Sequence, residues 1–232
     1  MQHRFGTIEY QLKRRAVKHM RIQVLPPNGA VQVIVPHHAS DSAIAHMLEA
    51  RTDWIIKHQQ NFLRRPQPIE LQWVSGEQHY LWGSAYLLEL IEQQGKHQVL
   101  LKQDNRLQLR VRPDTDTANK AKVMQAFYRQ QLEQEVPALL EKWQPRMGVA
   151  VNEWRSKQMK TRWGTCNINA KRIWLNVELV KKPYPCLEYV VVHELAHLLE
   201  PSHNHRFVGF MDKFLPDWRE RRKLLNQRSS IT

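Results

Sequence analysis

His193, Glu194 and His197 stand in the spacing H-E-x-x-H, and His203 follows a short way downstream. Imidazole is a borderline-soft ligand that suits zinc, and a catalytic zinc takes three protein ligands and keeps one position for water. On a helix advancing about 100° per residue, His193 and His197 lie about 40° apart on one face, so both rings can reach one ion. Glu194 sits about 100° round from His193, close enough to meet a water at that ion without ligating it. Two ligands and one carboxylate on a single turn are the pattern of a metal-dependent hydrolase with a general base.

The third ligand must come from beyond that turn. The helix can run through Leu198 and Leu199; Pro201 then interrupts the backbone hydrogen bonds and Ser202 begins a turn. His203 and His205 follow, and either can close the set. His203 lies at the separation found in the longer pattern H-E-x-x-H-x-x-G-x-x-H, but Glu200 stands at the glycine of that pattern, so the chain is not of that subclass. Twelve histidines raise the odds of a chance match, and a third histidine after a helix break lowers them again.

The elements that must position these residues follow from periodicity. Leu187, Val190, Val191, Leu195 and Leu198 recur at helical spacing and bury one face of the metal helix, and Pro183 and Pro185 sit where that helix begins. Upstream, Trp154 to Met159 and Ile173 to Val177 read as strands around a turn at residues 167–171. A long helix fits Ala118 to about Trp143, with Pro137 kinking or splitting it. A basic helix is expected from about Pro216 to Leu225.

The N-terminal half reads as β-rich. Residues 22–24 and 31–35 alternate about a turn at Pro26-Pro27-Asn28-Gly29, and a helix capped by Ser40 or Asp41 runs to about Leu63. Residues 64–68, Arg-Arg-Pro-Gln-Pro, read as a linker. Strands return at 80–82, 85–91, 99–101 and 107–111, and no internal repeat is apparent. The fold class expected is α+β: a β-rich region with one helix over 1–115, then a helix-rich zincin-like catalytic domain with a small sheet over 116–232.

With 42% hydrophobic residues in 232, the chain can bury a proper core. No apolar run is long enough to span a bilayer, which predicts no membrane contact. The residues after Met1 lack a signal peptide's apolar core, and two cysteines make no disulfide framework, so the expected compartment is the cytoplasm. Lys and Arg outnumber Asp and Glu 35 to 22, for a net charge of +13, which favours anionic partners. Arg155, Lys157, Lys160, Arg162, Lys171, Arg172, Lys181 and Lys182 crowd the approach to the metal helix, opposed between 155 and 182 only by Glu178.

The catalytic half resembles the YgjP-like predicted zinc metallopeptidases, also called SprT-like or WLM-like. The residues that carry the likeness are the stretch Met159 to Cys166 (M-K-T-R-W-G-T-C), Ile173 to Leu179 (I-W-L-N-V-E-L), and Tyr189 to Leu198 with His203 and Phe207. Gly76 to Gly83 extends the resemblance towards the N-terminus. It implies His193, His197 and His203 as zinc ligands, Glu194 as the catalytic residue, and an Arg-Trp-Gly-Thr-Cys strand beside the metal cleft. Thr161 and Thr165 stand where serine is common in the family.

The residues of that strand suit a cleft wall. Gly164 lets backbone approach a ligand closely, and Arg162 can bind an anionic or carbonyl group. Trp163 is either core or contact. Cys166 is a packed thiol or a fourth ligand that would close the site. Thr165 and Asn176 join the expected substrate-binding set, with Asn176 alternatively orienting a loop.

The leading expectation is a zinc-dependent peptidase acting on protein or peptide. Hydrolysis of a nucleoside triphosphate is the alternative, since the resemblance also implies a uridine triphosphate pyrophosphatase activity, and no phosphate-binding P-loop is present. A third reading is a basic nucleic-acid-binding module with structural zinc. Three ligands in place of four, and a carboxylate at the base position, count against it.

Overall fold

The computed structural model describes residues 2–25, 28–63 and 71–227. Its mixed α+β architecture is the expected class. The chain forms two compact units, Met1–Ile69 and Glu70–Ile231. The division expected after residue 115 therefore falls inside the second unit, because the strands before it share a core with the long helix after it.

The first unit holds strands β1 (Gln2–Phe5), β2 (Ile8–Arg14), β3 (Arg21–Leu25) and β4 (Ala30–Val35), then helices α1 (Asp41–Glu49) and α2 (Thr52–Leu63). Val31, Val33 and Val35 alternate onto one face of β4 and meet Ile44, Leu48 and Ile55 from the helices. Ser40 caps α1 by accepting from the Ala43 N–H. The single helix expected to Leu63 is broken at Ala50 and Arg51. There the Leu48 carbonyl accepts from both the Arg51 N–H and the Thr52 hydroxyl, and a side chain that competes for a helix carbonyl interrupts the regular ladder. Pro26 and Pro27 of the expected turn, and the expected linker at residues 64–68, lie outside the described residues.

The second unit opens with β5 (Gln78–Leu81), β6 (Ser84–Glu92), β7 (Gln98–Leu101) and β8 (Arg106–Val111). Helix α3 (Thr117–Met147) follows, capped by Asp116 and stopped by Gly148 at φ 66°. It buries Met124, Phe127, Leu132, Val136, Leu139 and Trp143 at helical spacing. Pro137 does not split it: Pro137 and Glu133 are both exposed, so the proline lies on the solvent side of the helix.

Strands β9 (Glu153–Lys157), β10 (Gly164–Asn167) and β11 (Arg172–Asn176) make a three-stranded sheet in the order β10-β11-β9. Ile173 and Leu175 turn into the core. A 3₁₀ turn over Val177–Lys181 leads to α4 (Tyr184–Ala196), α5 (His205–Phe214) and α6 (Trp218–Asn226). Helix α5 is additional to the helices expected from the sequence.

The two four-stranded sheets are built alike. Each runs first-second-fourth-third in its own chain order, with antiparallel outer pairs and a parallel middle pair. Each first hairpin starts Gln-His, turns on a glycine at positive φ (Gly6 56°, Gly83 84°) and sets a tyrosine opposite the histidine: His3 faces Tyr10, and His79 faces Tyr86. Each fourth strand carries apolar-Gln-apolar, at Val31-Gln32-Val33 and Leu107-Gln108-Leu109. The parallel registers differ by two residues, which keeps every side chain on its own face (Leu12 faces Val33, Leu88 faces Leu107). The repeat is thus present in the structure although no repeat stands out in the sequence.

Candidate metal centre

Helix α4 begins behind Pro183 and buries Leu187, Val190, Val191 and Leu195, which turns His193 and His197 towards a cleft. Regular helix ends at Ala196 and His197 is its C-cap, two to three residues earlier than expected. The Leu198 and Leu199 N–H groups bond carbonyls three residues back, the tightening usual at a helix end. The bend at Pro201 and Ser202 then carries His203 back over the same face. Asn204 accepts from the Arg206 and Phe207 N–H groups and starts α5 immediately afterwards.

His193, His197 and His203 each offer a nitrogen, and these three atoms lie within 4.8 Å of one another. His193 Nε2 and His203 Nε2 are 3.0 Å apart. Two ligands at about 2.0–2.1 Å from a tetrahedral zinc stand about 3.3 Å apart, so the His193–His203 pair is within a few tenths of an ångström of that separation. His197 Nδ1 faces the Glu200 carbonyl at 3.3 Å, which leaves Nε2 for an ion. His205, at the start of α5, is outside the group, and so is Cys166. The donor set therefore fits a divalent, imidazole-preferring metal.

Burial, reinforced by His197, His203 and Arg222, pushes His193 down to about 3, and burial likewise lowers His197. Both rings are neutral at neutral pH, the form that ligates. Phe207 is buried and its ring centroid lies 4.7–4.9 Å from those of all three imidazoles. It packs the triad from one side.

Glu194 is 4% exposed, and burial pushes its carboxyl up to about 8 against the pull of Arg162. Its side chain fits only because residue 164 is glycine. A Cβ there would meet Glu194 Oε1 at 2.5 Å and Cγ at 2.8 Å.

The triad opens into a cleft of about 570 Å³. Thr161 to Cys166 line it from the side of β10, with Ile168 beyond them. The strand beside the cleft that the resemblance implied is β10 with the two residues before it. Arg162, Trp163, Gly164 and Thr165 all line the cleft. Asn176 lies elsewhere. It is 4% exposed and its side chain bonds backbone only, donating to the Met159 and Arg162 carbonyls and accepting from the Met159 and Glu178 N–H groups. It shapes the loop that carries Arg162 and does not face the cleft.

Tyr189, Arg222, Leu225 and Asn226 complete the lining and were not singled out in the sequence. Tyr189 could have been found, since it precedes His193 by one helical turn. Arg222 could not, because its place depends on how α6 packs. The basic cluster also disperses on folding. Glu153 pairs with Arg155 and Arg172, Glu178 pairs with Lys181, and Arg155, Lys157 and Arg172 gather round the Trp174 ring. Arg162 is the one member of the cluster in the cleft lining. Among the described residues, no helix is long and apolar enough to cross a membrane.

Residues 18–228 match a family of metallopeptidase domains. The family is the YgjP-like one, and the chain belongs to it. The chain is also similar to the crystal structure of the metallopeptidase zymogen of Pyrococcus abyssi abylysin, at 21% identity and a TM-score of 0.36, over 42% of this chain and 99% of that one. For the zymogen of Methanocaldococcus jannaschii jannalysin the values are 20% and 0.36, over 40% of this chain and 96% of that one. None of the curated proteins matches the chain.

Proposed function

We propose that this metallopeptidase domain is a zinc-dependent peptidase in which His193, His197 and His203 hold the ion and Glu194 is the general base. The observation that carries the reading is the convergence of three imidazole nitrogens within 4.8 Å beside a buried glutamate. Bound zinc supplies Lewis acidity, polarising a carbonyl and bringing the pKa of water towards about 7. Glu194 accepts the proton of the attacking water at a carboxylate oxygen and delivers it to the leaving amine nitrogen. A cation at the triad offsets the burial that raises Glu194 and favours the carboxylate needed for the first transfer.

Strand β10 pairs with β11 on one side only and ends the sheet order at the cleft. An extended peptide can add to such an edge through its main chain. Arg162 binds a carbonyl or an anionic group of that peptide, and Trp163 and Thr165 contact its side chains. Three imidazoles favour this reading over a magnesium–nucleotide site, which prefers oxygen ligands. Three ligands with a carboxylate at hand favour it over a structural zinc in a nucleic-acid-binding module.

Comparison of wild type with Glu194→Gln tests the proposal. The variant is expected to retain zinc and lose roughly 10²–10⁴ in turnover on an unfolded protein substrate. Full peptidase activity in zinc-loaded Glu194→Gln would remove Glu194 from the mechanism.

A further inference from the structure

Arg162 and Arg222 both line the cleft, Arg162 from the segment before β10 and Arg222 from α6. Their guanidiniums make no ion pair or side-chain hydrogen bond among the described residues, unlike Arg155, Arg172, Arg206, Arg219 and Arg221, each of which has a carboxylate partner. Glu194 is the sole acidic residue in the lining, and it is buried against Gly164. The cleft is therefore positive before any cation enters.

The position of Arg222 is built. The preceding residue, Arg221, donates to the buried Glu188 of α4, and also pairs with Asp217, the N-cap of α6, at 2.8 Å. Trp218 stacks on Tyr189 at 6.4 Å, and Leu225 is 3% exposed. These contacts fix α6 against α4 on the Tyr189–His193 side, where Arg222 lies close enough to oppose the burial that raises Tyr189. Arg222 is itself exposed at the cleft, as is Arg162, and a guanidinium with no carboxylate partner on such a fixed helix is suited to a planar carboxylate.

Resting on the peptidase reading, we infer that Arg222, with Arg162 across the cleft, selects substrates that carry a carboxylate beside the scissile bond. The carboxylate is an Asp or Glu side chain or the substrate's own C-terminus. Arg222 is then a specificity-determining residue that takes no part in proton transfer.

The test is binding to zinc-loaded Glu194→Gln protein, which does not depend on turnover. Fluorescein-labelled peptides that differ only in Glu against Gln are compared by anisotropy, each with a free and an amidated C-terminus. The carboxylate-bearing peptides are expected to bind ~10-fold tighter, the size of a charge-assisted pair in a partly solvated cleft. Arg222→Gln in the same background should bring the peptides to near-equal affinity at unchanged zinc content, and Arg222→Lys should restore part of the gap. A Glu-over-Gln preference that persists on amidation assigns the carboxylate to the side chain; an affinity that falls on amidation alike for the Glu and Gln peptides assigns it to the C-terminus. Equal affinities of all four peptides, amidated and free, in the parent protein overturn the inference, as does a preference that survives Arg222→Gln. So does a nucleoside triphosphate that binds more tightly than every peptide and loses that affinity in Arg222→Gln. Failure of the peptidase reading shows separately, as absence of peptide cleavage by the wild type.

Discussion

Gly164 and Glu194 occupy adjoining space so closely that a single methyl group cannot be added between them. A Cβ at residue 164 would stand 2.5 Å from Glu194 Oε1 and 2.9 Å from its carboxyl carbon. Gly164 has no strained φ, so its requirement is for room and not for conformational freedom. Gly164→Ala is expected to push the carboxylate aside. A displacement near 1 Å costs roughly 10²-fold in turnover, and overpacking costs about 1–3 kcal/mol of stability. Zinc content should be unchanged, since no ligand moves. Normal peptidase activity in Gly164→Ala would mean that Glu194 need not sit where it is observed.

Glu188 joins three helices. It accepts from Lys142 Nζ at 2.6 Å and Trp143 Nε1 at 3.0 Å on α3, and from Arg221 on α6. Burial raises its pKa, but the hydrogen bonds from Lys142, Arg221 and Trp143 outweigh burial and hold it at about 2, below the ordinary 4.5. A carboxylate depressed in the folded state stabilises fully above its unfolded pKa and loses that contribution as pH falls from about 4.5 to about 2. Glu188→Gln should cost about 1.5–3 kcal/mol near pH 7, the worth of hydrogen bonds to a charged group. Urea unfolding of the metal-free proteins should show the gap closing below pH 4.5. A gap that does not change with pH would show that the Glu188 charge contributes nothing.

The convergence of His193 and His197 was legible because its geometry is internal to one helix: the two rings meet wherever that helix lies. His203 was legible as a candidate only, since His205 follows Pro201 equally well until Asn204 is seen to cap α5. Helix α5 itself was hidden by Gly209 and by a histidine- and aromatic-rich start, although Phe207 and Met211 show the spacing of its buried face. Arg222 was hidden for a different reason. Its neighbours are set by the packing of Trp218, Leu225 and Arg221, which local pattern does not encode. The like construction of the two sheets escaped notice because it rests on a few scattered residues, His3 and His79 among them. The chain divides after Ile69, not after residue 115, because β5–β8 bury Leu88, Leu107 and Leu109 in the core that α3 also fills.

Phe207 supports the triad from the side away from the cleft. It is 3% exposed and touches each imidazole, so Phe207→Ala removes packing from ligands and core together. The expected cost is about 3–5 kcal/mol in the metal-free protein. Zinc affinity, read by competition with a chelator, should fall roughly 10–100-fold, as for other residues that orient ligands. Phe207→Leu should recover most of the stability and less of the affinity. Unchanged zinc affinity in Phe207→Ala would show that the bend after Pro201 positions His203 unaided.

Two histidines compete for the third ligand position, and one substitution at each decides between them. His203 lies in the bend with Nε2 3.0 Å from His193 Nε2. His205 begins α5, where the Asn204 cap fixes the backbone, and its ring is not among the converging donors. A three-ligand site that loses one imidazole releases its ion or holds it far more weakly. Purified His203→Ala is therefore expected to lose its zinc, as are His193→Ala and His197→Ala, while His205→Ala keeps it. Removing His203 should leave the fold intact, because the residue is exposed and the Phe207 side chain remains. Metal analysis beside circular dichroism reads both effects at once. Zinc retained in His203→Ala and lost in His205→Ala would move the third ligand to His205 and require α5 to start later than Asn204 allows.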